Sequence, residues 1–147
     1  MYKKVLFIAF IGIILLTGCT EKKDRDLSCQ KEDTSMDDMQ TKQTYAFSFK
    51  QDKMVKIETS SEIKVDGVYK KYTSELLESL EQQFATVKGK KGVSIKPKKS
   101  ANAVSIEATM DLDKIGKDAS KLITMVDTTL NQEKTKKSLE DQGFTCQ

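Results

Sequence analysis

An apolar run from Val5 to Leu16 halts just before Cys19, and that junction decides which part of the chain folds and where. Lys3 and Lys4 precede the run, and the small residues Thr17 and Gly18 follow it, the three-part layout of a bacterial secretory signal. Its twelve residues make about 18 Å of helix, well short of the ~30 Å hydrocarbon core of a bilayer, so a removed signal is expected rather than a membrane span. Whatever folds lies after this junction, outside the cytoplasm.

Leu16-Thr17-Gly18-Cys19 resembles the bacterial lipobox. The resemblance implies a diacylglyceryl thioether on Cys19, cleavage before it, and acylation of the new amino terminus by a fatty acid such as palmitate. One acyl chain holds a protein marginally, whereas two or three anchor it stably. The expected address is therefore the extracytoplasmic face of the cell membrane. The chain divides into a lipoprotein signal peptide (1–18), a lipidated cysteine and flexible tether (19–28), and a single domain (29–147). The charged, aperiodic stretch from Thr20 to Ser28 reaches about 30 Å when extended.

The mature chain, Cys19 to Gln147, has 129 residues with 23 basic and 22 acidic side chains. That balance gives no support for nucleic-acid binding. Over the full sequence lysine outnumbers arginine 24 to 1, which disfavours bidentate phosphate recognition and suits the genome of a low-GC Gram-positive bacterium. Cys29 and Cys146 stand at the two ends of the domain. Outside the cytoplasm such a pair predicts a disulfide, the alternative being two free thiols. A loop of that length gives up to about 4–5 kcal/mol by chain entropy.

Tyr45, Phe47 and Phe49 alternate with polar residues, as do Val55 and Ile57, which predicts strands joined by a turn at Gln51-Asp52. Leu27 to Glu32 suggests a short strand carrying Cys29, with Asp37-Asp38 in a loop after it. Between Val68 and Lys88 the period changes: Tyr69, Tyr72, Leu76, Leu80, Phe84 and Val87 step by three and four, giving a helix capped at Gly89 whose aromatic residues are expected in the core. Val93 and Ile95, a turn region from Pro97 to Asn102, and Val104 to Met110 form a second hairpin. A second helix is expected from Leu112 to Leu130, and a final one from a cap at Asn131 to Gly143. The fold class is thus α+β, an antiparallel sheet of about five strands with helices on one face, in two layers.

Three stretches resemble the YehR-like family of small bacterial lipoproteins: Phe47 to Lys56 as its strand–turn–strand, Lys91-Gly92-Val93 as its helix-to-strand junction, and Ser138 to Cys146 as its C-terminal signature. The resemblance implies an α+β fold and attachment to the envelope. Because that family is a domain of unknown function, it brings no catalytic or binding residue. It also implies that the Cys29–Cys146 pair is a local staple rather than a family feature.

The chain has no histidine, so Ser-His-Asp and Cys-His catalysis are excluded, and with them the commonest metal ligand. No cofactor or metal site is expected. Ser28-Cys29-Gln30-Lys31 matches Ser-x-x-Lys but lacks the partner motifs of penicillin-recognising enzymes. Asp111-Leu112-Asp113 begins like a calcium loop, yet Ile115 and Leu122 occupy ligand positions, leaving Asp111 as a helix-start residue. Lys88, Lys90, Lys91, Lys96, Lys98 and Lys99 gather around the first helix end and the second hairpin. They are candidate contacts for anionic headgroups or a wall polymer, although lysines guarding a sheet edge against strand pairing explain them more simply.

Together these features favour a non-enzymatic, membrane-tethered module that binds an envelope protein or wall component through its sheet or an exposed edge. The alternative is a small-molecule or ion-binding accessory protein of a transporter, and a hydrolase built from carboxylates or lysine ranks third. Growth with a clickable fatty acid should label the protein at Cys19, and Cys19→Ala should lose both label and membrane association. A variant that stays membrane-bound would end the lipoprotein reading.

Overall fold

The computed structural model describes residues 27–116 and 126–147. The signal, Cys19 and most of the tether lie outside them. Six strands form one antiparallel sheet: β1 (Leu27–Met36), β2 (Met39–Lys50), β3 (Lys53–Val65), β4 (Val93–Lys99), β5 (Ala103–Asp111) and β6 (Thr145–Cys146), in the order β4-β5-β3-β2-β1-β6. The α+β expectation holds, with six strands instead of five. The added strand is β6, two residues long and paired to Cys29 and Gln30. β1 starts at Leu27, as the strand expected from Leu27 to Glu32 does, so Leu27 and Ser28 belong to it and not to the tether; it continues past Glu32 to Met36.

The register explains the alternation. Leu27, Phe47, Ile57, Met110 and Val93 lie side by side across five strands, and the next row toward the far end is Cys29, Tyr45, Thr59, Ala108 and Ile95. Phe47 and Ile57 are 0% exposed, and Leu27 and Met110 2%. Rings of Tyr45 and Phe47 stack at 5.6 Å between centroids, and Phe144 closes on Tyr45 at the same distance. Burial pushes the Tyr45 hydroxyl up to about 12, the hydrogen bond with Thr59 pulling the other way.

One departure from simple alternation is a bulge opposite Ser48 and Phe49. The extra residue, Val55, is half-buried, and Met54 takes the buried place at 1% exposure. Across the β2–β3 turn, Gln51 and Asp52 have φ of 49° and 61°. Both are left-handed, the requirement of a type I′ hairpin met here without glycine.

Helices cover the buried face. Helix α1 (Thr73–Gln82) sets Leu80 against Val104 and Ile106. It is shorter than expected, because Gly67–Tyr72 forms a 3-10 helix and residues 83–89 continue as turns. The 3-10 segment turns every three residues rather than 3.6, which throws its side chains out of phase with the α-helical stripe. Tyr69 and Tyr72, expected in the core, are accordingly 37% and 43% exposed.

Helix α2 is only Leu112–Ile115, capped by the Asp111 carboxylate, which accepts from the Lys114 amide at 3.3 Å. The expected continuation to Leu130 is not seen at its end, since residues 126–130 are bends and turns; Ala119 and Leu122 lie outside the described residues. Gly92 (φ +86°) packs against this turn, where a Cβ would come within 2.6 Å of the Lys114 Cβ. Helix α3 (Gln132–Glu140) starts at Asn131, whose side chain accepts from the Lys134 amide at 3.0 Å. It ends at Glu140, a turn closes at Gly143 (φ +88°), and Phe144 then enters the core.

A disulfide joins Cys29 and Cys146 across 117 residues. Cys29→Ala/Cys146→Ala is expected to lower unfolding free energy by about 2–5 kcal/mol, read from urea titrations, and reductant should do the same to the wild type. Coincident curves with and without reductant would show that the bridge contributes nothing.

Candidate functional site

Helices cover one face of the sheet, and the other face has no helix over it among the described residues. Its composition follows from the same register, one residue out of step with the core. The row beside the core row reads Ser28, Ala46, Glu58, Thr109 and Ser94. The next reads Gln30, Thr44, Ser60, Glu107 and Lys96, and the one beyond it Glu32, Lys42, Glu62, Ser105 and Lys98. Small hydroxyl and methyl side chains thus occupy much of the middle of the face, with Glu58 and Glu107 among them, and most of the other long charged ones lie toward its margins.

The result is an open hollow of about 310 Å³. Ser28, Thr44, Ala46, Ser60 and Thr109 line it, with the carboxylates of Glu58 and Glu107. A second hollow of about 130 Å³ lies toward the β1–β2 turn, between Glu32, Lys42, Glu62 and Lys64.

Charges around these hollows are paired in opposite signs. Lys98 donates to Glu107 at 2.7 Å, and that bond with the attraction of Lys98, then Lys96, holds the Glu107 carboxyl below the usual glutamate range. Lys42 and Glu32 meet at 2.8 Å with the same effect on Glu32 and an upward push on Lys42. All are solvent-exposed, so each pair adds little to stability; their role is to fix where charge stands on the rim.

Both sheet edges are blunted. β4 carries Lys96, Pro97, Lys98 and Lys99 along its open side. Proline offers no amide to a new strand, and lysines oppose edge pairing. On the other edge, β6 covers only Cys29 and Gln30. Past it, the register of β1 with β2 breaks between Asp33 and Met36, and the Asp33 carboxylate takes the Ser35 amide at 2.9 Å. Recognition by strand addition is therefore disfavoured on both sides, leaving the face itself.

The structure divides the six lysines that stand together in sequence. Alternation sends Lys96 and Lys98 to the open face, whereas Lys99 reaches Ser74 of α1 at 2.6 Å on the helical side. Lys88 pairs with Glu81 at 3.7 Å, and Lys90 and Lys91 lie in the turns before β4. They do not form one patch. Ser28 and Lys31, three apart on a strand, point to opposite faces, and the Lys31 ammonium donates to the Gln142 carbonyl at 2.8 Å, so the Ser-x-x-Lys match is not a site. Asp111 caps α2 and pairs with Lys114 at 3.0 Å, which holds its carboxyl low. Among the described residues no three His, Cys, Asp or Glu side chains group as a metal site. No described helix is long and apolar enough to cross a membrane.

No family model matches the sequence, and no curated protein does. Two solved structures share the fold. The NMR structure of the YehR protein of E. coli is 16% identical, with 84% of this chain and 92% of that one covered and a TM-score of 0.52. The NMR structure of a protein from Streptococcus pneumoniae TIGR4 is 19% identical, with 86% and 87% covered and a TM-score of 0.53. At such identities the likeness shows the fold alone: the α+β architecture is that of the YehR structure.

The Glu107 carboxyl supplies a check of the open face. Because its folded pKa lies below its unfolded one, the Lys98 pair supports the fold above the ordinary carboxylate range and stops doing so as pH falls through the folded value. In Lys98→Met the carboxyl should titrate closer to ordinary glutamate by carbon-detected NMR. An unchanged titration would place Lys98 away from Glu107 in solution.

Proposed function

We propose that the protein is a YehR-like lipoprotein, a non-enzymatic module tethered through Cys19 to the extracytoplasmic face of the cell membrane, which holds an envelope protein or wall component on its open sheet face. The observation that carries this reading is the asymmetry of the sheet. One face is sealed by helices and both edges are blunted, while the other face offers a hydroxyl-lined hollow with Glu58 and Glu107 inside and lysines around it. The lipobox supports the anchor, and the fold likeness to YehR supports the family at the level of architecture. The lack of histidine supports a binding role over a catalytic one.

The transporter-accessory alternative draws less support. A site that engulfs a small molecule usually spans about 300–1,000 Å³ and buries most of its ligand. Here the larger hollow is about 310 Å³ and open to solvent, a form suited to part of a larger partner.

A photo-crosslinking residue at Ser60, on the open face, should give a discrete adduct in intact envelopes. The same residue at Glu78, exposed on α1 on the helical side, should not. Equal adducts from both positions, or none from Ser60, would refute recognition through the open face.

A further inference from the structure

The ends of the sheet differ. Leu27, where the chain enters the fold, lies at one end of β1, and Met36 lies nine residues on, about 30 Å away. Around Met36 the molecule exposes its large apolar side chains: Met36 59%, Val68 68%, Tyr69 37% and Tyr72 43%. They share one end because Met39 pairs with Val65, and the Asp66 amide donates to the Asp38 carbonyl at 2.9 Å, seating the 3-10 helix against the β1–β2 turn. We propose that this end is a docking surface for a glycan strand of the cell wall, with Tyr69 and Tyr72 as the stacking platform.

Three observations select that occupant. The first is position, which rests on the anchored-module reading: with the tether joined at Leu27, the Met36 end can extend about 30 Å farther from the bilayer than Leu27 does, into the layer where wall polymer lies. The second is size. Four side chains expose a few hundred Å² at most, well under the ~800 Å² per partner of a stable protein interface, so a second copy of the chain is not held here. A repeating polymer needs no large footprint, because many tethered copies engage one strand together.

The third observation is chemistry. Residues three apart on a 3-10 helix eclipse with a rise of about 6 Å, so Tyr69 and Tyr72 stand in one row at a spacing on the scale of a single hexose. Aromatic rings receive the apolar C–H face of a pyranose, and their hydroxyls stay in water. Lys71 lies over the Tyr72 ring at 4.9 Å, and Lys70, paired with Asp66 at 3.2 Å, stands beside it. These ammonium groups suit the carboxylate and acetamido oxygens of wall sugars.

The test uses the full chain in detergent micelles, with purified peptidoglycan sacculi for co-sedimentation and the β-1,4-linked N-acetylglucosamine hexamer for NMR titration. The wild type should sediment with sacculi, and the hexamer should shift resonances of the 3-10 helix. Tyr69→Ala/Tyr72→Ala should weaken retention about tenfold, and Tyr69→Phe/Tyr72→Phe should keep it within about twofold. Both pairs should keep the wild-type melting temperature, since the rings are exposed. No sedimentation, or equal retention of the alanine pair, overturns the proposal. So does loss in that pair of a self-association measured by ultracentrifugation, or of flotation with phosphatidylglycerol vesicles, which would assign the surface to a second copy or to lipid. Fatty-acid labelling of Cys19 reads the anchor separately, so failure of one claim is not mistaken for failure of the other.

Discussion

Register across the sheet is the constraint from which the other features follow. Leu27, Phe47, Ile57, Met110 and Val93 form one continuous row over five strands. A slip of one residue in any pairing would turn that strand's apolar set to the solvent side. Truncating Phe47 at the centre of the row would remove about 3–5 kcal/mol, a large share of the 5–15 kcal/mol typical of such a domain. Tyr45, Phe47 and Phe49 in one strand are enough to fix which face is inside, and the helices then settle where apolar surface is left. α1 covers the β4–β5 half, and α3 with Phe144 covers the β1 half.

The open face is the other consequence of that register. Its middle positions include Ser28, Thr44, Ala46, Ser60 and Thr109 beside Glu58 and Glu107, with no described helix over them, and its margins carry charges in pairs. A sheet left bare on one side risks association through both its face and its edges. The edges are answered by Pro97, three lysines and the register break in β1. The face is answered by having no large apolar residue on its central rows. What remains attractive is local: the two hollows, and the tyrosine-bearing end that no other described helix covers.

Much of this was legible in the sequence for one reason: strands with one wet face advertise themselves by alternation. The hairpin turn at Gln51-Asp52, the second hairpin, the Asn131 cap and the stop at Gly143 were all readable from local chemistry. The misses have equally local causes. The 3-10 helix broke the phase of a stripe that looked continuous through Tyr69 and Tyr72, the bulge exchanged Met54 for Val55, and Gly116 (φ +89°) ended α2 after one turn. β6 is too short to have a period. The hollow escaped notice because its residues are the polar half of the alternation, individually bland and meaningful only once register sets four strands side by side. For the lysine cluster, nearness in sequence does not reveal the division between two faces and a turn that strand alternation and the Lys99–Ser74 bond impose.

The disulfide belongs to the same logic. Cys29 and Tyr45 share a row, and Cys146 extends that row onto β6. A two-residue strand at a chain terminus has too few ladder bonds to resist fraying, yet Phe144 immediately before it closes the core over Tyr45. The two backbone bonds between Ser28 and Gln147, 3.0 and 2.8 Å, flank the cross-link on one side, and the Gln30–Thr145 pairing flanks it on the other. Fixing Cys146 to β1 therefore does more than shorten the unfolded loop. It holds α3 and Phe144 over the aromatic row, beside Leu27 and Cys29 of β1.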